Sequence, residues 1–498
     1  MTDLPSPQFT YAFAKEKGLI VLSDREKPTI GVRSGADAMA LIEARRIIGQ
    51  PAELESLEAA DFDQILTSTF SKGPLGENDI EAAVASRGGL ESLIDDIPEA
   101  ADLLGDSGDA PVIRLINGLI YEAIKRRASD IHIDPFEDKL SIRYRIDGDL
   151  VEVLTPPRKL AAPLVSRIKV MSRLDIAEKR LPQDGRISLQ AAGRSIDVRV
   201  AILPTRFGER VALRLLDTQT ALLSLEELGM DADTYARFDE VLRQPNGVIL
   251  VTGPVGSGKT TTLYSSISRL NTGNVNIMTL EDPVEYGLPG ISQTQMDAKV
   301  GLTFAKALRN ILRQDFNIVM VGEIRDLETA EAAFEFASTG RLAFSTLHTN
   351  SAAGAITRLK DMGVETYLMA STLRAVMAQR LLRKLCDVCK TPQPAGNAEF
   401  DALQLPPSEG FTHYTPNGCM ACGNTGYHGR IAIYELLVVD GTLRELLHSD
   451  AGEDAIEASA FRDHSQLLQN AHRYVLAGET SVTEVLRVCR REDRNGSV

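Results

Sequence analysis

The clearest alternation of apolar and polar positions begins near Leu223, where short apolar runs alternate with stretches of helical periodicity. Four runs have the length and flanks of strands, and they cover 248–252, 276–280, 318–321 and 342–347. Strands that are apolar throughout, each followed by a helix, are typical of a parallel sheet covered by helices on both faces. The pattern therefore predicts an α/β core after residue 223.

A second α/β pattern precedes this core. Residues 112–126 carry isoleucines at helical spacing, and residues 140–146 alternate between apolar and polar side chains as in a half-buried strand. The dipeptide Asp147-Gly148 then favours a tight hairpin turn. Further strand-like runs cover 195–200 and 210–216.

The first 90 residues mix short apolar pieces with amphipathic segments at 37–48 and 61–70, which indicates a small N-terminal domain. Asp37 is placed to cap the first of these helices. Residues 91–110 are rich in acids, with Gly105, Gly108 and then Pro111 at their end, which predicts a flexible, self-repelling linker. An exposed acidic helix fits the first half of that stretch equally well.

Length and charge restrict the class of protein. A chain of 498 residues is too long for one core and indicates several domains. The formal net charge of −15 argues against a protein that coats nucleic acid, and only a local basic groove stays open. No apolar run approaches the length of a membrane span, and the first residues lack the pattern of a secretory signal. We therefore expect a cytoplasmic protein that binds no nucleic acid.

Residues 253–260, Gly-Pro-Val-Gly-Ser-Gly-Lys-Thr, fit the pattern of a phosphate-binding P-loop, with an apolar strand before it and a helical run after it. Lys259 would reach the β- and γ-phosphates, and the Thr260 hydroxyl would ligate magnesium. A glycine-rich turn without a ligand is the alternative, and the complete motif with both flanks disfavours it. The expected nucleotide contacts are Gly253, Pro254, Val255, Gly256, Ser257, Gly258, Lys259, Thr260 and Thr261.

Three later strands end in residues suited to phosphate chemistry. Residues 281–285 place three carboxylates after one strand, and Glu285 is the last of them. Glu323 follows the next strand in the position of a Walker B acid, suited to hold magnesium or polarise water. His348 follows the third and could sense the γ-phosphate or bond a neighbouring group. Helix capping and a purely structural histidine are the alternatives, and the common position behind one P-loop disfavours them.

Phosphoryl transfer also requires cations near the transferred group. Arg199 and Arg214 lie in strand-like runs before the P-loop, and an inward arginine on a strand needs an anionic partner. A solvated strand face is the alternative. The remaining arginines considered for this role are Arg186, Arg206 and Arg210.

Four of the five cysteines form two Cys-x-x-Cys pairs, a pattern that predicts a structural zinc site; they are Cys386, Cys389, Cys419 and Cys422. A redox pair is the lesser alternative, and Cys489 is expected to serve only in packing. The same region is expected to expose basic side chains, namely Arg380, Arg383, Lys384 and Lys390. These would contact acidic phospholipid or an acidic partner, although a solvated face fits them equally well.

Several of these motifs resemble one family. Residues 280–285, 320–326 and 345–350 are similar to the Asp box, Walker B motif and His box of the type II/type IV secretion ATPases. Other segments resemble that family's second N-terminal domain and the stretch after its second cysteine pair, and they cover 128–133, 181–186, 207–211 and 426–430. The resemblance extends over residues 110–498 and is greatest to the type II secretion branch, with pilus-extension ATPases as close relatives.

The resemblance implies a hexameric ATPase that uses ATP and Mg²⁺ and drives pseudopilus assembly for protein export across the outer membrane. Its N-terminal domain would bind the cytoplasmic domain of a bitopic assembly protein, with further contacts to inner-membrane platform proteins. The ATPase would thereby associate peripherally with the inner membrane. By position, Arg199 and Arg214 resemble the family's phosphate-contacting arginines, Glu323 its catalytic glutamate and Glu285 its Asp-box acid.

Two departures from the family pattern concern the His box, where Arg341 replaces the usual first histidine and Ser351 the usual aspartate. A nucleic-acid translocase and a nucleotide-gated scaffold without turnover are the other classes considered. The acidic balance counts against the first, and the full set of acids counts against the second.

The sequence predicts six segments. They are an N-terminal docking domain (1–90), an acidic linker (91–110), a PAS-like second N-terminal α/β domain (111–222), a RecA-like ATPase domain (223–385), a tetracysteine zinc subdomain (386–434) and a C-terminal helical region (435–498).

Overall fold

The computed structural model describes residues 17–23, 28–33, 38–49, 51–58, 109–191, 194–217, 223–297, 300–406 and 412–489, together with positions 9, 14, 36, 61, 62, 65, 90, 93 and 94. The chain divides into two compact units, Met1–Thr218 and Gln219–Val498. The predicted cap at Asp37 lies outside the described residues, as do most of the predicted helix at 61–70 and of the acidic linker at 91–110.

The first unit begins with a three-stranded sheet. Its strands are β1 (Leu19–Ser23), β2 (Thr29–Arg33) and β3 (Glu53–Leu57), and helix α1 (Ala38–Ile48) connects the last two. β2 pairs antiparallel with β1 and parallel with β3, as a helical crossover requires. Ala40 and Ala44, four residues apart on α1, pack in one apolar cluster with Ile20 and Ile30 of the sheet.

A six-stranded antiparallel sheet forms the rest of the first unit, in the order β6-β5-β4-β9-β8-β7. Alternate residues of its strands share one apolar core with helices α2 and α3. Residues Asp147 and Gly148 adopt φ angles of 48° and 98°, the left-handed conformation that the predicted hairpin needs. The elements are α2 (Asp109–Lys125), β4 (Ala128–Pro135), β5 (Leu140–Ile146), β6 (Asp149–Leu154), α3 (Ala161–Met171), β7 (Gln183–Ala191), β8 (Arg194–Thr205) and β9 (Gly208–Asp217).

A seven-stranded sheet organises the second unit, in the order β12-β11-β13-β14-β10-β15-β18. Every neighbouring pair is parallel except β15 and β18 at one edge. The predicted α/β core is thus confirmed, and each of the four predicted strands lies within one residue of its predicted bounds, whereas the other three strands of the sheet were not predicted. The strands are β10 (Gly247–Thr252), β11 (Ile277–Glu281), β12 (Ser292–Gln295), β13 (Ile318–Val321), β14 (Leu342–Leu347), β15 (Leu373–Leu385) and β18 (Tyr427–Val438).

Both faces of this sheet are covered, as the continuous apolar strands predict. Along β10, Val248 and Leu250 belong to one core cluster, and Ile249 and Val251 to the cluster on the other face. Asp326 caps α7 by accepting from Thr329 N at 2.8 Å. The helices are α4 (Ala232–Leu242), α5 (Lys259–Leu270), α6 (Phe304–Ile311), α7 (Leu327–Ser338), α8 (Ala352–Asp361), α9 (Thr366–Thr372), α10 (Asn397–Leu403), α11 (Gly441–His448), α12 (Glu453–Ala460), α13 (Leu467–Leu476) and α14 (Val482–Cys489).

The four cysteines lie at an insertion between two paired strands. β15 and β18 pair over their length, and the chain between them contains α10 and a two-stranded ribbon of β16 (Thr391–Pro394) and β17 (Thr412–Thr415). The predicted boundary at 434/435 therefore falls inside β18. Among the described helices, none combines the length and the apolar character needed to cross a bilayer.

Candidate nucleotide site and metal centre

The carboxyl ends of adjacent strands bring the predicted chemistry to one edge of the seven-stranded sheet. β10 runs beside β14, with Thr252 opposite Leu347, so the P-loop and His348 leave the sheet together. β13 lies on the other side of β14, and Glu323 lies two residues beyond its last residue. Parallel pairing thus places the P-loop, Glu323 and His348 at one edge, as expected for this sheet type.

Glycine is required at both ends of the P-loop. Gly253 has a φ of 149°, and a Cβ there would lie 2.5 Å from the Gln379 carbonyl oxygen. Gly258 has a φ of 86° and precedes the first residue of α5. Only a residue without a side chain fits these positions without strain, and the loop thereby delivers Lys259 and Thr260 to the first turn of α5.

Lys259 is buried with 8% of its surface exposed, and its ammonium donates to Gly253 O at 2.7 Å and Pro254 O at 3.0 Å. Burial lowers the pKa of Lys259 to about 8, with attraction from Glu323 opposing and repulsion from Arg380 adding to the shift. The Ser257 hydroxyl is also buried and has no hydrogen-bond partner among the residues that the structure describes. A buried cation and an unsatisfied hydroxyl in a glycine cradle fit a polyphosphate.

Glu323 connects the P-loop edge to two further side chains. It forms an ion pair with Arg325, and its Oε2 lies 3.5 Å from His348 Nε2. The carboxylate side chain is 17% exposed, and the backbone around it is fixed because Thr346 Oγ1 donates to Gly322 O at 2.8 Å. The carboxylate is therefore held at the edge of the sheet with partial access to solvent, which suits a group that orients a water molecule.

The three carboxylates of residues 281–285 differ in burial: Glu281 is buried, Asp282 is exposed and Glu285 is intermediate. Glu281 is 3% exposed and turns into the core, where Tyr264 and Thr279 donate to it and Gln293 Nε2 lies 3.2 Å away. The prediction that all three carboxylates follow the strand is wrong for Glu281, because this residue still belongs to β11 and points toward α5. Glu285 is half-buried in the loop beyond the strand.

Arg199 and Arg214 belong to the other compact unit. They are directly opposite each other on β8 and β9, and therefore lie on the same face of the six-stranded sheet. Arg214 Nε lies 3.0 Å from Asp130 Oδ1 and keeps 57% of its side chain exposed. The structure brings these two arginines together with each other.

The four cysteine sulfurs form a compact centre, with all Sγ atoms within 4.8 Å of one another. The separations are 3.9 Å for Cys386–Cys419, 3.8 Å for Cys389–Cys422 and 3.7 Å for Cys419–Cys422. A tetrahedral zinc–thiolate centre with bonds of about 2.3 Å has sulfurs about 3.8 Å apart, so the residues fit zinc.

Backbone amides support thiolate character at Cys422. Cys419 N and Gly426 N each donate to Cys422 Sγ at 3.2 Å. Burial acts to raise the pKa of Cys422, yet these two amides and the neighbouring cysteines outweigh it and lower that pKa to about 6. A deprotonated sulfur is the form that coordinates metal.

The predicted basic surface near the cysteines is wrong for two of its four members. Arg380 is buried on β15, and Arg383 pairs with the fully buried Glu484 at 2.7 Å. Both lie on a strand of the main sheet rather than on the cysteine insertion, so they cannot contact lipid. Lys384 lies 3.7 Å from Glu479, and Lys390 pairs with Asp387 at 2.8 Å.

Gln379 and Arg380 are neighbours of the P-loop that the sequence motifs did not indicate. β15 runs parallel to β10, with Ala378 opposite Thr252, so these two residues run beside the loop that follows Thr252. Gln379 Oε1 accepts from Thr262 Oγ1 at 2.7 Å. Their signal was present in the sequence, because they follow the apolar run 375–378 as Glu323 follows its strand.

Comparisons with known proteins decide the family. Residues 105–487 match the model described as "Type II/IV secretion system protein", and residues 8–70 match the model of an N-terminal domain of GSPII protein E. The chain belongs to the type II/IV secretion system protein family. It is an ATPase, as the P-loop and Glu323 predict.

Relatives in this family align with nearly the whole chain. Type II secretion system protein E of Aeromonas hydrophila is 48% identical over 99% of this chain and 98% of its own length. Type II secretion system ATPase E of Vibrio cholerae is 48% identical over 90% of each chain. These relatives confirm the predicted type II branch of secretion ATPases.

Two solved structures share the fold. The pilus retraction motor PilT, solved with bound ADP, aligns with 76% of this chain and 97% of its own at 26% identity and a TM-score of 0.51. The DotB ATPase of Legionella pneumophila aligns with 79% of this chain and 98% of its own at 21% identity and a TM-score of 0.57. Together with the seven-stranded sheet, they confirm the predicted RecA-like core.

The two departures from the His box of the family have structural explanations. Arg341 precedes β14, at the end of the strand opposite His348, and stacks on Phe336 with its guanidinium 5.2 Å from the ring centre. The Ser351 hydroxyl caps α8 by accepting a hydrogen bond from Gly354 N at 2.9 Å, and an aspartate at this position would cap the helix in the same way. Neither change removes a group from the P-loop edge.

Proposed function

We propose that this chain splits ATP with the aid of Mg²⁺ and that turnover drives the assembly of a pseudopilus for type II secretion. The observation that carries the proposal is the convergence of Lys259, Glu323 and His348 at one edge of the sheet, beside a glycine loop with a buried, unsatisfied hydroxyl. The names of the relatives support the secretion role.

The residues at this edge have distinct parts in the proposed reaction. Lys259 binds the β- and γ-phosphates, and the Thr260 hydroxyl ligates magnesium at the first turn of α5. When bound there, magnesium would supply positive charge that neutralises the phosphate oxygens. Glu323 orients and polarises the attacking water, with His348 and Glu285 as its neighbours in the mechanism. Arg199 and Arg214 are assigned to phosphate contact, as the family resemblance implies.

We also propose the assembly that this resemblance implies: a homo-hexamer on the cytoplasmic face of the inner membrane, bound peripherally through partner proteins. The match of residues 8–70 to an N-terminal domain of GSPII protein E supports a module that docks on a bitopic assembly protein. Zinc at the four cysteines would hold the insertion in shape, because four thiolates leave no open position for catalysis. The sulfur separations support that structural role.

The test compares Glu323, which follows β13, with Glu281, which is the last residue of β11. Glu323→Gln is expected to lower kcat for phosphate release by about 10²–10⁴-fold, because the carboxylate that accepts the proton of water is lost, while ATP binding persists because the P-loop is unchanged. Glu281→Gln keeps the shape of a group that lies in the core, and kcat should stay within about threefold. Binding is measured with a fluorescent ATP analogue, and secretion by complementation of a deletion strain.

Normal turnover in Glu323→Gln would remove the assignment of the catalytic glutamate. Equal losses in Glu323→Gln and Glu281→Gln would show that the assay reports damage to the sheet edge rather than chemistry. If Glu323→Gln loses turnover and still restores secretion, the motor role in export is refuted.

A further inference from the structure

Arg380 is a buried cation beside the P-loop that the proposed chemistry does not use. It is 8% exposed, and its hydrogen bonds in the part of the chain that the structure describes go to carbonyl and amide oxygens rather than to a carboxylate. Burial lowers the pKa of its guanidinium, and Cys489 and Glu435 oppose that shift through their fields. Burial of a charge without a close ionic partner costs free energy, so the hydrogen bonds of Arg380 to neutral oxygens must compensate for the lost hydration.

Those contacts fix a single residue. Arg380 Nη2 donates both to the Asn350 carbonyl oxygen at 2.8 Å and to its Oδ1 at 3.0 Å. Nη1 donates to Gln379 O at 3.4 Å, and this same oxygen limits the space at Gly253 of the P-loop. The rigid guanidinium thus connects Gln379, which lies beside Gly253 of the P-loop, to Asn350.

Asn350 ends a three-residue segment that begins at His348. Thr349, between them, is held by the strand that leads into the P-loop, because Thr349 N donates to Thr252 Oγ1 at 2.9 Å. His348 then lies with Nε2 3.5 Å from Glu323 Oε2. Asn350 itself is exposed to solvent, so Arg380 supplies the buried anchor for this end of the segment.

We propose that Arg380 is a positioning residue for ATP turnover: by holding Asn350, it keeps His348 in place against Glu323. This inference rests on the proposed role of Glu323 in hydrolysis. Arg380 acts on the reaction through Asn350 and His348 and does not itself contact the reacting atoms. Its loss therefore slows the chemical step, while nucleotide binding by the P-loop persists.

The experiment uses Arg380→Lys in the full chain, because lysine keeps the charge and loses the fork to Asn350. The matched control is Arg374→Lys at the other end of the same strand. Arg374 also holds an asparagine, with Nε 3.0 Å from Asn246 O and Nη2 3.2 Å from Asn246 Oδ1, ahead of β10 and away from the P-loop.

We expect Arg380→Lys to lower kcat by about ten- to a hundredfold with KM and the affinity for a fluorescent ATP analogue within about twofold of wild type. Arg374→Lys should leave kcat and KM within about twofold. Asn350→Ala, which keeps Arg380, should show the same selective loss of kcat. The double variant Arg380→Lys with Asn350→Ala should turn over no more slowly than the slower single variant.

An equal loss of kcat in Arg374→Lys, a loss confined to KM, or multiplicative losses in the double variant would each overturn the inference. Turnover of Arg380→Lys within about twofold of wild type, with Glu323→Gln inactive, refutes the inference alone. Normal turnover in Glu323→Gln instead refutes the catalytic assignment on which it rests, so the two failures are distinguishable.

Discussion

The ion pair between Arg383 and Glu484 offers a stability test with a magnitude that follows from its contacts. Glu484 is fully buried on α14 and accepts from Arg383 N at 3.0 Å, Nε at 3.0 Å and Nη2 at 2.7 Å. Arg487 also donates to it, from Nε at 2.8 Å and Nη2 at 2.7 Å. The pair fastens α14 to β15, shortly before the first cysteine of the centre.

Arg383→Met removes two charged hydrogen bonds and leaves the backbone amide and Arg487. Removal of one member of a buried pair costs about 3–5 kcal/mol in the free energy of unfolding. Because Arg487 still neutralises Glu484, we expect the low end, about 3 kcal/mol. For domains near this size, each kcal/mol lowers Tm by about 2–4 °C, which predicts a drop of about 6–12 °C.

The control is the double variant Arg383→Met with Glu484→Leu. It leaves no buried carboxylate at position 484, and Arg487 is 51% exposed and can be solvated, so the double variant should lose less than Arg383→Met alone. Calorimetry of the full chain with zinc present follows the transition of the ATPase unit. A drop in Tm below about 2 °C, or a double variant that melts below the single one, would refute the reasoning.

The pH dependence of the same pair has a definite sign. Burial acts to raise the pKa of Glu484, but the bonds from Arg487 and Arg383 outweigh it and lower that pKa from its ordinary value of 4.5. Its contribution to stability is therefore fully present above about pH 4.5 and is lost as pH falls through the lower folded value. The difference in Tm between wild type and Arg383→Met should be constant near neutrality and shrink below about pH 4.5.

Two further predictions concern ligands of the second unit. The pKa of Lys259 is lowered to about 8, and a bound triphosphate favours the charged form of this lysine. ATP affinity should therefore fall as pH rises above about 8, by up to about tenfold per pH unit. An affinity for a fluorescent ATP analogue that stays constant from about pH 7 to about pH 9.5 would contradict this prediction. Cys422→Ser should abolish stoichiometric zinc in elemental analysis of the purified protein, whereas Cys489→Ser, outside the four-sulfur centre, should retain it; equal zinc in both variants would exclude the proposed metal site.

The sequence alone determined which residues lie at the P-loop edge of the seven-stranded sheet. Apolar strands followed by polar residues are a local signal, and so are the glycines whose left-handed conformations the loop requires, which is why the P-loop, Glu323 and His348 were predictable. The cysteine spacing was a local signal of the same kind. Each of these inferences needs only a short segment and the rule that carboxyl ends of parallel strands share an edge.

The tertiary structure decided which face or partner each remaining residue has. Glu281 is one residue too early to leave β11 and the core, and a shift of one position along a strand reverses the side chain. Arg380 and Arg383 looked like surface charges until the pairing of β15 with β10 and β18 placed them inside. Such pairing joins residues far apart in the chain, and local periodicity carries no information about which strands become neighbours.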